Sequence, residues 1–416
     1  MSKLICSFCG KPIEEETQCF VGNGGVICKE CAELLGKTVA GITPKIQVKK
    51  SLSDVPKPKE IRAFLDQYII GQEEAKEKIS VAVYNHYKRV WGDKKDDDVE
   101  ILKSNCIMVG PTGVGKTEVA RTIAKMLDVP FCIADATTVT QAGYVGDDIE
   151  TILTRLLQAA DYDVARAEQG IVFIDEIDKI ARKQGANASI TRDVTGEGVQ
   201  QGLLKLLEGS VVNVPPQGGR KHPDAKMVQM DTTNILFICG GAFAGIERVV
   251  ENRMNVHTIG FATAAETPNK KPFDKKNAIK YVLAEDLRSY GLIPELIGRL
   301  PVIVHFTDLN KDALKKILTE PKNSIVKQYK KLFEIDGVSL TFDDDAYEYI
   351  VDKATENKLG ARGLRSILEI IMTKAMYNVP SDNVSEFNVS LEYAKNIYEN
   401  EQFEYNVDET VDSEAA

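Results

Sequence analysis

Gly110-Pro111-Thr112-Gly113-Val114-Gly115-Lys116-Thr117 follows the spacing GxxxxGKT, the pattern of a loop that cradles phosphate groups. The apolar run Cys106-Ile107-Met108-Val109 precedes it, as a buried strand would, and Glu118 to Leu127 continues as a helix. This strand–loop–helix setting separates the motif from an ordinary Gly-rich turn. In such a loop, backbone N–H groups turn onto phosphate oxygens, and the helix N-terminus adds positive partial charge. Lys116 is expected to reach the β- and γ-phosphates, and Thr117 to hold Mg²⁺.

A second run completes a nucleotide site. Ile171-Val172-Phe173-Ile174 is continuously apolar, as a strand buried on both faces requires, and it ends in Asp175-Glu176. An acid at a strand end beside such a loop can hold the magnesium shell. A second carboxylate can orient and deprotonate an attacking water. Asp175 is therefore assigned to Mg²⁺ and Glu176 to water activation, with ATP as the nucleotide.

The 416 residues exceed one ordinary domain, and 43% hydrophobic with 27% charged residues suffices to build cores. The net charge of −10 argues against a broad basic surface for nucleic acid. No apolar stretch is long enough to span a bilayer. Met1-Ser2-Lys3-Leu4-Ile5-Cys6 lacks the apolar centre of a secretory signal. A cytoplasmic location is expected, where thiols stay reduced and paired cysteines point to metal.

Cys6-x-x-Cys9 and Cys28-x-x-Cys31 are two such pairs, separated by the 18 residues between Cys9 and Cys28. That spacing fits a closed, tetrahedral zinc site. A module of roughly 45 residues is too short to hold itself together by a core alone, so the metal would supply most of its folding energy. A thioredoxin-like redox pair is the rival, but no βαβ pattern surrounds either knuckle. Cys19 reads as a spare, and Cys106, Cys132 and Cys239 as core residues in apolar runs.

Along the chain, the composition divides into a zinc module over 1–48, a linker over 49–60, a large α/β domain over 61–304, a smaller, mainly helical domain over 305–400, and an acidic, disordered tail over 401–416. The linker falls in the Lys- and Pro-rich stretch from Pro44 to Lys59. In the large domain, apolar runs at 106–109, 129–134, 171–174 and 235–239 alternate with helical segments. That alternation predicts a mostly parallel sheet covered by helices. Beyond 310 the period is helical: Ala313, Leu314, Ile317 and Leu318 share one face, as do Leu364, Ile367, Leu368, Ile371, Met372, Ala375 and Met376. His86, His222, His257 and His305 fall in loop or boundary contexts, and no proteolytic centre is legible.

The phosphate loop, the Asp-Glu strand and the downstream helical domain, in that order, resemble the AAA+ ATPases. With the four-cysteine module, the chain is similar to the protein-unfolding Clp branch of that family over about residues 4 to 400. The resemblance implies further roles. Ile69-Ile70-Gly71-Gln72 matches the segment that packs on the adenine base. Gly143-Tyr144-Val145-Gly146 resembles a first pore loop, in which Tyr144 and Val145 form a bulky tip between glycines, ahead of an amphipathic helix bearing Ile149, Ile152, Leu153, Leu156 and Leu157. Arg192 to Gln201 resembles a second pore loop, and Arg220-Lys221-His222 the loop ringing the pore entrance. Ile259-Gly260-Phe261 resembles the tripeptide that docks on the ClpP peptidase. Arg299, after Gly298, matches an arginine finger that reaches the γ-phosphate of a neighbouring subunit. Gly360-Ala361-Arg362-Gly363-Leu364 resembles a sensor-2 motif whose Arg362 faces the nucleotide. The run Ile235 to Ile238 ends in Cys239-Gly240-Gly241, with no Asn or Thr, so the sensor-1 role stays unassigned.

Membership of that branch would make the chain an ATPase using ATP, Mg²⁺ and Zn²⁺, and a homohexamer that unfolds substrate polypeptides and threads them into ClpP. Adaptor proteins would bind through the zinc module. Neither a membrane nor nucleic acid is expected as partner. The alternative is a nucleic-acid-directed AAA+ motor, which would share the nucleotide site. It would need a basic channel and would gain little from a Gly-Tyr-Val-Gly loop.

Overall fold

The computed structural model describes residues 5–13, 19–22, 24–39, 51–92, 99, 101–140, 147–182, 196–215, 227–256, 274–357, 360–382 and 384–400. Tyr144, Val145, Arg192, Arg220, Lys221, His222, Ile259, Gly260, Phe261 and the tail at 401–416 lie outside these. The chain forms two units, Met1–Ser51 and Leu52–Ala416.

In the first unit, strands Cys19–Gly22 and Gly25–Cys28 pair antiparallel, and a helix runs over Lys29–Val39. Among the described residues its buried centre consists of Cys6, Cys28 and Cys31, with Ile13 and Ile27 packed beside them. Phe8, Phe20 and Val21 face outward. So little buried apolar surface cannot offset the ordering of the chain.

The second unit is built on a five-stranded parallel sheet. Its strands are β1 (Cys106–Val109), β2 (Phe131–Asp135), β3 (Ile171–Asp175), β4 (Leu236–Gly241) and β5 (Val302–His305). Their order is β5-β1-β4-β3-β2, every neighbouring pair parallel. Side chains alternate between two cores, as a pleated strand requires. Ile171 and Phe173 of β3 pack with helices α1 (Pro58–Asp66), α2 (Glu73–Trp91) and α3 (Lys116–Leu127). Val172 and Ile174 pack on the other side with α4 (Thr151–Ala159) and α5 (Glu197–Glu208). A strand covered on both faces must be apolar throughout, which is why these runs carry no polar alternation. The expected parallel sheet between helical layers is the fold observed, and the helix carrying Ile152, Leu153, Leu156 and Leu157 buries that face.

The C-terminal part has its own core, formed by helices Lys311–Thr319, Ile325–Ile335, Asp344–Glu356 and α6 (Gly360–Asn378). Asn310 caps the first, its side chain accepting a bond from Ala313 N at 2.8 Å. Leu364, Ile367, Leu368, Ile371, Met372 and Ala375 are buried along one stripe of α6. A two-stranded parallel sheet, β6 (Ser339–Phe342) with β7 (Glu386–Val389), completes it.

Several expectations need correction. The linker read over 49–60 is structured from Leu52 onward: Leu52–Asp54 forms a 3₁₀ turn, Val55 is buried, and α1 starts at Pro58. Proline at the first helical position costs no hydrogen bond, so it opens a helix here rather than breaking one. The stretch Arg192 to Gln201, read as a pore loop, is α5 from Glu197 onward, and Gln200 is fully buried. His86 lies inside α2, not in a loop; burial pushes its pKa down to about 3. The apolar runs read as strands left out Val302–His305, which forms β5, an edge strand of the large sheet that runs up to the expected domain boundary at 304/305.

Candidate nucleotide site and metal centre

Strand β1 delivers the phosphate loop and α3 receives it. Gly115 stands at the head of α3 with φ +98°, a backbone region that side chains rarely adopt. At Gly110 the constraint is space, since a Cβ there would lie 2.6 Å from the Cβ of Phe306. Lys116 is 8% exposed and folds back on its own loop. Its ammonium donates to Gly110 O at 2.6 Å and to Pro111 O at 2.7 Å. Burial pushes its pKa down to about 8, while Asp175 and Asp178 pull it upward. A buried ammonium resting on neutral carbonyls is poised to exchange them for anionic phosphate oxygens.

The neighbouring strand ends supply oxygen ligands. Thr117 Oγ1 donates to Asp175 Oδ2 at 3.3 Å. Adjacent ligands of an octahedral magnesium lie roughly 3 Å apart, so this pair fits two neighbouring positions on the ion. The other carboxylate oxygen of Asp175 accepts from Glu176 N at 2.9 Å. Glu176 is exposed and left-handed, with φ +57°. A non-glycine residue held there costs about 1–3 kcal/mol and is typical of functional positions. The kink turns the chain sharply away from β3, leaving the carboxylate free of the sheet.

The end of β4 explains the missing sensor-1 side chain. A Cβ on Gly240 would sit 2.6 Å from the ring of Phe173, and one on Gly241 2.7 Å from Asp178 Oδ1. No side chain fits, and the strand offers backbone instead: Ala242 N donates to Asp178 Oδ1 at 3.1 Å.

Two further parts bear on the loop. Ile69 is buried in the same core cluster as Val114 of the loop, and Ile70 beside it is half-buried, in the turn between α1 and α2. From the C-terminal domain, Gly360 opens α6 against the loop, where a Cβ would lie 3.4 Å from Thr112 O. Arg362, exposed in the same turn, is close enough for its charge to depress the Lys116 pKa. Arg299 is not brought to this cluster. Its half-exposed guanidinium pairs with Glu208 Oε1 at 2.9 Å, and its carbonyl accepts from Asn105 Nδ2 at 3.0 Å. Asn105, fully buried, also donates to Leu207 O and accepts from Phe237 N, tying the arginine's backbone to the sheet. Sequence reading missed Asn105 and Glu208 because their partners lie far away in the chain. A polar residue directly before a buried strand is the one local hint for Asn105.

In the first unit the four sulfurs of Cys6, Cys9, Cys28 and Cys31 lie within 4.8 Å of one another. Cys9 and Cys28 Sγ are 4.0 Å apart. Tetrahedral Zn–S bonds of about 2.3 Å put sulfurs roughly 3.8 Å apart, so the set fits zinc. Backbone N–H groups hold the knuckle: Cys28 N donates to Cys6 Sγ at 3.4 Å, and this and neighbouring amides draw the Cys6 pKa down, while burial and the other three thiols push that of Cys31 up. The four sulfurs crowd one another as thiols, and a bound cation would favour the thiolates it requires. Cys19 is paired in the strand opposite Cys28, outside the cluster.

Parallel sheet, phosphate loop, Asp-Glu strand end and an arginine-bearing helical domain together define an ATPase of the AAA+ class. Comparison with known proteins agrees. Residues 102–303 match the AAA domain (Cdc48 subfamily), 309–390 the C-terminal D2-small domain of ClpB protein, and 4–40 the ClpX C4-type zinc finger. The chain belongs to the ClpX family. It is 60% identical over 404 residues to the ATP-dependent Clp protease ATP-binding subunit ClpX of Bacteroides thetaiotaomicron, covering 95% of each chain. The same-named protein of Bacteroides fragilis is also 60% identical over 404 residues, with 95% of each chain covered. That of Porphyromonas gingivalis is 56% identical over 394 residues, covering 94% of this chain and 95% of the relative. No helix among the described residues is long and apolar enough to cross a membrane.

Proposed function

We propose that this chain is an ATP-driven protein unfoldase and translocase of the cytoplasm that works as a homohexamer and threads polypeptides into ClpP. The observation that carries the reading is the convergence at one loop: Lys116, the Thr117–Asp175 pair and Glu176 from the large domain, with Gly360 against Thr112 from the small one. A site shared by two domains turns phosphate chemistry into domain movement.

Lys116 would neutralise the β- and γ-phosphates. Thr117 and Asp175 would hold Mg²⁺, which when bound draws charge from the phosphate oxygens. Glu176 would orient a water and accept its proton as the water oxygen attacks the γ-phosphorus and the bond to the bridging oxygen of ADP breaks. Arg299 of one subunit would stabilise that charge in the site of the next. Its weak surface pair with Glu208 leaves it free to exchange partners. Arg362 would sense the phosphates and set the angle of the small domain. Tyr144 and Val145 would grip substrate in the axial channel, with Arg192, Arg220, Lys221 and His222 lining its loops. Ile259, Gly260 and Phe261 would dock on the peptidase, and the zinc unit would recruit substrates or adaptors. The net charge of −10 disfavours the nucleic-acid motor.

The test is to incubate the protein with ClpP, ATP and a stably folded, tagged substrate while following loss of the substrate's fold. ATP-dependent unfolding followed by peptide release is expected. ATP turnover stimulated by DNA and not by unfolded protein, with the substrate left folded, would overturn the reading.

A further inference from the structure

Gln72 stands at the head of α2, yet its side chain does not cap that helix. It is 9% exposed and left-handed, with φ +59°. Its amide instead spans the chain to Thr307: Nε2 donates to Thr307 O at 2.7 Å, and Oε1 accepts from Thr307 N at 3.0 Å. A primary amide carries one donor and one acceptor edge, so it closes both bonds on a single residue's backbone. A carboxylate would set negative charge against Thr307 O, and an apolar side chain would leave both backbone groups unpaired.

Thr307 lies in the short span between the end of β5 at His305 and the first helix of the small domain at Lys311. Its neighbour Phe306 is held on the phosphate side: Phe306 N donates to Val109 O at 2.8 Å, and its Cβ and carbonyl fill the space a side chain on Gly110 would need. The inter-domain span is thus gripped twice, by the start of the phosphate loop at residue 306 and by Gln72 at residue 307. The same turn reaches the small domain directly, because Gln67 O accepts from Lys322 N at 2.8 Å.

We infer that Gln72 is a positioning residue that transmits seating of the nucleotide base to the inter-domain span, so that base and phosphates jointly set the small-domain angle. This rests on the reading that the base lies against Ile69 and Ile70. A base pressing on that turn shifts residue 72, and the amide carries the shift to the Thr307 peptide. Without the amide, the inter-domain span itself keeps only the Phe306 contact, which lies on the phosphate side, and the turn keeps only the Gln67–Lys322 bond outside that span.

The test uses the full chain with fluorophores introduced as non-natural residues at the exposed positions Arg121 and Ser366, one in each domain. Exchange of ADP for a slowly hydrolysed ATP analogue is followed by energy transfer, and binding by a fluorescent adenine nucleotide. For Gln72→Ala, the nucleotide-driven change in separation should be largely lost while affinity stays within about threefold of the parent. An unchanged separation response in Gln72→Ala overturns the inference. So does a collapse of binding, which would make the residue part of the nucleotide pocket. Gln72→Glu keeps the proposal testable if the alanine variant unfolds. Its carboxyl, protonated at low pH, regains both bonds to Thr307, so the separation response should recover as pH falls; a response indifferent to pH overturns the inference. Ile70→Glu tests the underlying reading separately. Unaltered nucleotide affinity there would displace the base from this turn, whatever Gln72 does.

Discussion

The two units reach order by opposite routes. In Leu52–Ala416, the phosphate loop and the Asp175-Glu176 pair stand at the ends of strands buried on both faces, and two large apolar clusters hold those strands in place. In Met1–Ser51, three cysteines and two isoleucines form the packed centre among the described residues, and aromatic residues such as Phe20 face solvent. A distributed core tolerates the loss of any one contact and leaves its surface loops free for chemistry. A four-sulfur centre has no such reserve, since each ligand carries a large share of the folding energy.

The sharpest way to break this contrast is to remove the metal. Zinc binding contributes roughly 10–16 kcal/mol in comparable small modules. Chelation should therefore unfold the first unit, seen as loss of amide protection over residues 5–39. The melting of the second unit and its basal ATP turnover should not change. Protection that survived in metal-free protein would mean that the packed centre alone suffices.

Within the second unit, the contrast sharpens between residues fixed by the sheet and those left at the surface. Arg299→Ala should bind ATP yet lose about 10³–10⁵-fold in turnover, the usual worth of an arginine finger. Mixing it with Glu176→Gln should restore part of the activity, because some interfaces then pair an intact Glu176 with an intact Arg299. No recovery despite demonstrated subunit exchange would make Arg299 a structural partner of Glu208. Glu176→Gln alone should keep ATP affinity and lose roughly 10²–10⁴-fold in turnover. Turnover near the parent rate would remove Glu176 from the base role.

The smallest effect is a pH dependence. Lys116 in the nucleotide-free loop has its pKa pushed down to about 8 by burial, and phosphate must raise it again. Below about 8 the lysine is charged in both states, so affinity is flat. Above it, binding requires proton uptake, and ATP affinity should fall by at most about tenfold per pH unit. Calorimetry in buffers of different ionisation enthalpy reads the proton directly. Proton release on binding, or a flat affinity up to pH 10, would show that the lysine is already charged throughout.

How much of this was legible depends on the distance between partners. Gly110 to Thr117, the Asp175-Glu176 pair at the end of an apolar run, and the two Cys-x-x-Cys knuckles are local patterns. Their chemistry demands fixed spacing along the chain, so the residues announce it. The strand Val302–His305 did not announce itself, because four residues beside Pro301 become a strand only when β1 lies alongside. Glu197 to Gln201 reads as loop, since Gly198 and the polar residues around it hide that Gln200 is a buried strut to Ile180 O and Ile293 N. By itself the sequence determined the nucleotide chemistry, the metal ligands and the division into layers, all set by residue type at short range. Only the tertiary structure decided that Gln72 meets Thr307, 235 residues away, that Asn105 holds the backbone of Arg299, 194 residues away, and that no side chain fits at the end of β4. Hydrogen bonds and excluded volume act through space, and no spacing along a chain encodes which distant backbone will fill a given gap.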